Sequence, residues 1–249
     1  MASKPKSEAK TTDPRARIVD ALMELAAEHR FEDISIRDIC KRADVLLADF
    51  RDAFPSKGAV LAGLSRRIDR AVLSQDSDEL SDESPRERLF DILMRRLEAM
   101  APYKQGLREA AGWLRREPMA ALAMNQVVKT SMRFMLEAAA IELDGAGASA
   151  VKLQGLALAW SRVLNVWLDD DDPGLSKTMA ELDRELTRGE RAVAAVDRAN
   201  DFAWPFRALA QAAFDARRRS RERPRRARKG DEDRGGADEY GAAGDASLA

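Results

Sequence analysis

Apolar side chains recur at intervals of three and four residues along most of this 249-residue chain. The series comprise Ile18, Leu22 and Leu25; Leu89, Ile92, Leu93 and Leu97; Val127, Val128, Phe134 and Met135; and Leu175, Met179, Leu182 and Leu186. This spacing places the apolar groups of each series on one face of an α-helix. No segment alternates apolar and polar residues with the two-residue period of a strand. The sequence therefore predicts an all-α protein.

Composition narrows the class of protein further. Apolar residues make up 45% of the chain, and 42 basic side chains balance 43 acidic ones. These values exclude a basic nucleic-acid coat and an acidic disordered chain. The single cysteine, Cys40, indicates a reducing compartment. The longest uncharged run, Pro118 to Val128, is shorter than the roughly 20 apolar residues of a membrane-spanning helix. We therefore expect a cytoplasmic protein.

Catalytic and metal-binding patterns are absent from the sequence. His29 and Cys40 are the only histidine and cysteine, so common nucleophilic constellations and His- or Cys-rich metal sites are excluded by number. No phosphate-binding glycine loop or nucleophile elbow occurs. The acidic run Asp169 to Asp172 is better explained by a helix end and the cap of the next helix than by a metal loop. We predict no enzymatic activity, no metal and no cofactor.

Charge and composition divide the chain into four parts. Residues 1–13 form a basic tail, and helical periodicity starts after Asp13 and Pro14, a helix cap followed by proline. The acidic stretch 74–84 reads as a linker that leads into a capping box at Ser84. We therefore predict a first domain at 14–75, a C-terminal helical domain at 85–214, and a basic and then acidic disordered tail at 215–249.

The most specific local pattern lies between Ile34 and Lys57. Ser35 with Asp38 forms a capping box, and Ile34 with Ile39 forms a hydrophobic staple. Asp44 can adopt the left-handed turn that ends this short helix, and a second short helix from about Leu46 to Ala53 follows. One longer helix followed by two short ones predicts a helix-turn-helix head.

These residues resemble the tetracycline-repressor (TetR) family of bacterial regulators. The family has a Phe-x-Ser-Lys signature after the second short helix, and Phe54, Pro55, Ser56 and Lys57 stand there with no gap back to Ile36. The resemblance covers about residues 15–70. It implies a head that binds double-stranded DNA, and a larger helical C-terminal domain that binds a small ligand and forms a homodimer.

The second short helix, from about Leu46 to Ala53, is the one that the resemblance places in the major groove of DNA as the recognition helix. Its charge departs from the family pattern. This helix carries one basic side chain, Arg51, and two acidic ones, Asp49 and Asp52. The phosphates of DNA repel both acidic side chains. Leu46 and Leu47 could contact only thymine methyl groups. Basic residues near this helix, and those at the N-terminus such as Arg15 and Arg17, can contact the phosphate backbone of DNA. The predicted DNA-binding residues are Arg37, Lys41, Leu46, Leu47, Asp49, Arg51 and Lys57.

Methionine and tryptophan are concentrated in the C-terminal region. The simpler interpretation is an ordinary core; the alternative is a pocket for a small apolar or lipid ligand, because methionine adapts to irregular cavities. The candidate pocket residues are Met94, Leu97, Met124, Val128, Met132, Met135, Trp160, Leu164 and Trp167.

A second resemblance concerns residues 88–214. The stretches 101–103, 160–167, 171–182 and 188–190 look like the C-terminal domain of the ninth coenzyme-Q accessory protein family. That family has a TetR-like fold, and the resemblance implies isoprenoid lipid binding in support of ubiquinone biosynthesis. The alternative function is therefore a lipid-binding accessory protein that does not bind DNA.

The last apolar segment suggests a membrane contact. Residues 201–214 are rich in aromatic groups, and nine basic residues follow within 217–229. An amphipathic helix beside such a patch binds anionic membrane surfaces; the alternative is a docked last helix with a solvated tail. The candidate residues are Phe202, Trp204, Phe206, Leu209 and Phe214. In the membrane reading the protein would lie peripherally on the inner membrane.

Overall fold

The structure is a computed structural model that describes residues 13–75, 82–143 and 146–195. Within these ranges the chain is helical and contains no strand, which confirms the all-α prediction. The helices are α1 (Pro14–Glu28), α2 (Ile36–Ala43), α3 (Leu47–Ala53), α4 (Lys57–Leu73), α5 (Pro85–Met100), α6 (Lys104–Arg116), α7 (Pro118–Ala138), α8 (Ala146–Asp169) and α9 (176–195). Short 3₁₀ turns at Phe31–Asp33 and Ala101–Tyr103 connect α1 to α2 and α5 to α6.

The predicted helix starts are formed by local hydrogen bonds. The Asp13 carboxylate accepts a hydrogen bond from the Arg15 amide at 2.9 Å and so caps α1. Pro14 follows this cap as the first residue of the helix, as predicted. Ser84 and Glu87 exchange backbone-to-side-chain hydrogen bonds of 3.0 and 3.3 Å at the start of α5. These caps satisfy amide groups that have no partner inside the helix.

The start of α9 is capped by two residues of the acidic run. The carboxylate of Asp170 accepts from the amide and hydroxyl of Thr178 at 3.0 and 2.7 Å. The carboxylate of Asp172 accepts from the amide of Ser176 at 3.2 Å. The run therefore joins the end of α8 to the first turn of α9, as the sequence predicted for Asp172.

Helix α1 packs closely against α6. At Gly106 on α6, an added Cβ atom would lie 2.6 Å from the main-chain oxygen of Met23 on α1. Two aromatic rings join the same regions, because the ring centroids of Phe31 and Trp113 are 4.6 Å apart. Helix α1 and the turn that follows it are therefore anchored directly on a helix of the predicted C-terminal domain.

The described residues belong to one compact unit, Met1–Val196. The predicted boundary between residues 75 and 85 remains a prediction. The basic tail, apart from Asp13, and the segments 76–81, 202–214 and 215–249 lie outside the described residues. So do Phe202, Trp204, Phe206, Leu209 and Phe214, the predicted membrane-surface residues. Among the helices that are described, none has the length and apolar character required to cross a membrane.

Candidate DNA-binding surface and ligand cavity

Helices α2 and α3 are joined by a tight left-handed turn. Ser35 and Asp38 form the predicted capping box, with hydrogen bonds of 3.1 and 3.2 Å. Asp44 ends α2 with φ of 54°, and the Val45 amide then donates to the carbonyl of Cys40 at 3.1 Å. Ile39, Phe50 and Phe54 are buried in the core, and Ile36 and Val45 are partly buried against it. The helix-turn-helix geometry follows from this local chemistry.

Helix α3 presents an apolar and weakly charged surface to solvent. Leu46 and Leu47 are 72% and 64% exposed, and Ala48, Arg51 and Asp52 are also exposed. The Asp49 carboxylate accepts from the Leu46 amide at 3.0 Å and so helps to start α3. This bond gives Asp49 a structural role that the sequence analysis did not anticipate. It does not remove the negative charge from the face.

The basic residues of this region divide into two groups. Arg37, Lys41 and Arg51 are exposed. Lys57 instead points into the head, where its ammonium contacts the carbonyl of Phe31 and donates to the carbonyls of Ile34 at 2.8 Å and Glu32 at 3.4 Å. Burial lowers the pKa of Lys57, while nearby acids oppose that change. Three carbonyls occupy its three N–H donors, which favours a structural role over the phosphate contact suggested by the sequence.

Two N-terminal arginines are engaged in the same way. Arg15 donates to the carbonyl of Ala53 at 2.6 Å, and its guanidinium lies 5.0 Å from the ring centroid of Phe54. Arg17 donates to the carbonyl of Asp44 at 2.9 Å. These bonds satisfy carbonyls at the ends of α3 and α2, which have no partner within their helices. Arg15 and Arg17 therefore help to hold the two short helices, α2 and α3, against α1.

The predicted ligand residues lie within or against the apolar core. Leu97, Met132, Met135, Trp160 and Trp167 are fully buried in it. Met94, Met124, Val128 and Leu164 are partly buried and pack against it. This packing favours the ordinary-core interpretation of the methionine- and tryptophan-rich region, and the ligand role of these residues remains a prediction.

A cavity of about 510 Å³ lies elsewhere, between α8 and α9 near the start of α5 and the end of α7. We call it the α8–α9 cavity. Its apolar lining residues are Pro85, Leu89, Leu136, Ile141, Leu143, Val151, Gly155, Leu156, Leu158, Ala159, Leu186, Gly189, Ala192 and Val193. The volume and the mainly apolar lining are typical of small-molecule sites.

Charged side chains line one part of this cavity. The buried carboxylate of Glu185 accepts from Arg162 at 2.9 Å and also contacts Arg188. Arg86, which also lines the cavity, pairs with Asp183 and donates to the hydroxyl of Thr187 at 3.2 Å. Most of these residues were not singled out from the sequence, because the spacing in each helix resembles that of a solvated face.

Comparison with solved structures reveals which architecture these helices share. A TetR transcriptional regulator from Nitrosomonas europaea superposes with a TM-score of 0.57 and 24% identity, covering 71% of this chain and 97% of that one. The fold is TetR-like. A second TetR regulator, from Rhodococcus sp. RHA1, has a TM-score of 0.50 and 18% identity, with coverage of 73% and 97%. The TetR-like fold predicted from residues 34–57 is thereby confirmed.

No protein-family model matches the chain, and no curated protein matches its sequence. The second resemblance, to the coenzyme-Q accessory family, thus remains a prediction. Within the part of the chain that the structure describes, no group of three or more histidine, cysteine, aspartate and glutamate side chains is placed to hold a metal ion.

Proposed function

We propose that the protein is a TetR-type transcriptional regulator that binds double-stranded DNA through α2 and α3 as a homodimer. The observation that carries the proposal is the intact helix-turn-helix, in which Leu46 is exposed just before α3 and Leu47 and Arg51 are exposed on it. The two regulators with the same fold are consistent with it. In this proposal Arg37 and Lys41 contact phosphates, Arg51 contacts phosphate or base, and the two leucines contact thymine methyl groups.

The proposal includes a ligand site in the C-terminal part. Its support is the α8–α9 cavity, which offers apolar walls in a volume suited to a small ligand. Val151 and Leu158 on α8 are exposed large apolar groups, a feature consistent with a face covered by a second copy. A homodimer would bind two half-sites of a palindromic duplex. We place this regulator in the cytoplasm.

Fluorescence anisotropy tests the regulator function directly. The purified protein is titrated into the duplex upstream of its own gene and into a scrambled duplex, each at two salt concentrations. We expect a preference for the native duplex that persists at the higher salt, because base contacts depend less on salt than phosphate contacts do. Equal affinity for the two duplexes would contradict the proposal.

A pair of matched variants locates the DNA surface. Arg51→Ala removes an exposed basic side chain on α3, and Arg191→Ala removes an exposed basic side chain on α9. We expect Arg51→Ala to weaken specific binding by about tenfold, since a good base or phosphate contact contributes 1–3 kcal/mol, whereas Arg191→Ala leaves it unchanged. Equal effects of the two substitutions would show that α3 does not read the duplex.

A second function is favoured by the surface of α3. Leu46 and Leu47 are exposed beside Asp49 and Asp52, and Lys57 is directed into the head. A surface with this composition suits a TetR-fold accessory protein of ubiquinone biosynthesis that binds isoprenoid lipid at the membrane surface and does not bind DNA. Mass spectrometry of lipids that co-purify with the protein, and flotation with anionic liposomes, test it. The absence of both isoprenoid and flotation would exclude this function.

A further inference from the structure

We propose that α3 selects its DNA site through the C5-methyl groups of pyrimidines in the major groove. The inference deepens the proposed function and rests on α3 binding the duplex. It adds what decides the choice of sequence, namely apolar contacts of Leu46 and Leu47 rather than hydrogen bonds to base edges. Thymine and 5-methylcytosine both carry this methyl group, and separate duplexes distinguish the two sources.

An apolar surface lies at the start of the recognition helix. Leu46 directly precedes α3 and is 72% exposed, and Leu47, the first residue of the helix, is 64% exposed. Ala48 follows and is exposed as well. In a helix-turn-helix, the N-terminal residues of the second helix contact the base edges. Three consecutive side chains at that position therefore offer the bases only carbon atoms, with neither a donor nor an acceptor.

The neighbouring polar side chains do not replace the missing donors. Asp49 is half-buried, and its carboxylate accepts from the Leu46 amide at 3.0 Å. Lys57 donates to carbonyls inside the head. Among the seven residues of α3, the exposed polar side chains are Arg51 and Asp52, one turn beyond the leucines. Hydrogen-bond readout by the start of the helix is thus reduced.

The chemistry of the major groove determines what two exposed leucines can select. Base edges in this groove are polar donors and acceptors, apart from the C5-methyl group of thymine. A leucine held against a polar edge displaces water without returning a hydrogen bond, which carries a desolvation cost. A leucine held against a methyl group removes apolar surface of both partners from water, which is favourable. The leucines therefore favour positions that carry a methyl group.

The charged residues around the leucines fit this division of roles. Arg37 and Lys41 on α2 are exposed and suited to phosphates, whose contacts carry no sequence information. Asp52 is an acceptor that suits the N4 amino group of cytosine but not the O4 acceptor of thymine. Thymine therefore matches the leucines alone, whereas 5-methylcytosine offers both a methyl group and an amino donor. The C5-methyl group is common to both sources.

Duplexes that differ only in C5-methyl groups test the proposal. The duplex upstream of the gene is amplified with thymine, with uracil in place of thymine, and with 5-methylcytosine in place of cytosine. Base pairing and phosphates are the same in all three. Fluorescence anisotropy with the full-length protein, at the lower of two salt concentrations, gives each Kd.

We expect uracil to weaken binding at least about fourfold, the factor that corresponds to one buried methyl-sized group. This result assigns the contact to thymine. Binding that is unchanged by uracil but at least about fourfold tighter with 5-methylcytosine supports the proposal with methylated cytosine as the source. Three equal Kd values overturn it.

Protein variants assign the methyl effect to the leucines. In the double variant Leu46→Ala with Leu47→Ala, the Kd ratio between duplexes with and without the methyl groups should fall to about one. Met119→Ala with Leu122→Ala is the matched control, because these side chains on α7 are 77% and 56% exposed. The control should keep the ratio of the parent protein. A ratio that is unchanged in the leucine double variant contradicts the proposal.

Two further comparisons keep this test decisive. Uracil and 5-methylcytosine also alter the deformability of the duplex, but that effect is the same for parent and variants, so the difference between their ratios reports the contact. If the double variant binds too weakly to measure, Leu46→Ala and Leu47→Ala are tested singly, and each should lose part of the ratio. Single variants that both keep the full ratio overturn the proposal.

The scrambled duplex separates this inference from the proposed function. Equal Kd values for the native and scrambled duplexes, both with thymine, contradict the regulator function itself. A preference for the native duplex that is the same with thymine, uracil and 5-methylcytosine supports the regulator and overturns the inference.

Discussion

The guanidinium of Arg96 on α5 contacts the carboxylate of Asp69 on α4 inside the protein, where the Arg96 side chain is only 4% exposed. Ser131 on α7 donates to the same carboxylate at 2.7 Å, and Arg96 donates to Ser65 at 3.2 Å. The guanidinium also lies 5.3 Å from the ring centroid of Trp160 on α8. Burial lowers the pKa of Arg96, and Asp69 opposes this change. The pair links α4 to three helices of the C-terminal part.

Removal of one member of this pair should be strongly destabilising. Arg96→Met leaves the Asp69 carboxylate without its cation, and we expect a loss of about 3–5 kcal/mol in the free energy of unfolding, measured by urea denaturation. The double variant Arg96→Met with Asp69→Leu should be more stable than Arg96→Met alone. Exposed ion pairs contribute less than about 1 kcal/mol to stability. If Arg96→Met lowered the free energy of unfolding by no more than that, the result would contradict a stabilising buried ion pair between Arg96 and Asp69.

The close approach of α1 and α6 should not tolerate a methyl group at Gly106. The Cβ atom of Gly106→Ala would meet the main-chain oxygen of Met23 at 2.6 Å, and the helices must separate to admit it. We expect the free energy of unfolding to fall by about 1–3 kcal/mol. Gly112→Ala on the same helix is the control, because its nearest neighbour is the end of Arg116 at 3.7 Å. That variant should gain up to about 1 kcal/mol from helix propensity.

Lys57 and Arg51 should separate the stability of the head from DNA binding. Lys57→Met removes donors from the carbonyls of Phe31 and Ile34, so we expect a lower Tm and a loss of about 1–3 kcal/mol. Arg51→Ala, at an exposed position, should keep the Tm of the parent protein. Differential scanning calorimetry measures both. An unchanged Tm for Lys57→Met would return this residue to the set of phosphate contacts.

The cap of α9 should make part of the stability depend on pH. The hydrogen bond from Thr178 holds the pKa of Asp170 below its usual range, with smaller contributions from backbone amides. A carboxylate with a lowered folded-state pKa adds stability above its unfolded pKa of about 3.9 and loses it as pH falls through the folded value. Asp170→Asn should therefore lower the urea midpoint at pH 7, and its difference from the parent should shrink below about pH 4.

The control for this prediction is Asp171→Asn, because Asp171 is the adjacent acid and its side chain is exposed. We expect the urea midpoint of that variant to follow the parent protein at both pH values. A difference between Asp170→Asn and the parent that stays constant from pH 7 to pH 3 would show that the carboxylate charge is not what stabilises the cap.

The head could be predicted because its determinants are local. Ser35 and Asp38 are three residues apart, and Asp44 follows the helix that it ends, so their bonds are visible in the order of residues. The exposure of Leu46 and Leu47 could also be predicted, because it agrees with their place at the start of a recognition helix.

The roles of the long basic side chains could not be predicted in this way. Lys57 meets carbonyls 23 to 26 residues earlier, and Arg15 reaches a carbonyl 38 residues later. A flexible side chain several bonds long can turn toward DNA or toward the protein. Only the packed position of the neighbouring helices selects one of these directions.

The ligand site shows the same division between local and long-range determinants. Methionine and tryptophan content indicated apolar packing but did not distinguish a core from a cavity, and Met132 and Trp167 are core residues. By itself the sequence determined the helices, their caps and the helix-turn-helix, because these depend on residues a few positions apart. The tertiary structure alone decided where space remains between α8 and α9 and which charges meet there, because both depend on how distant helices pack.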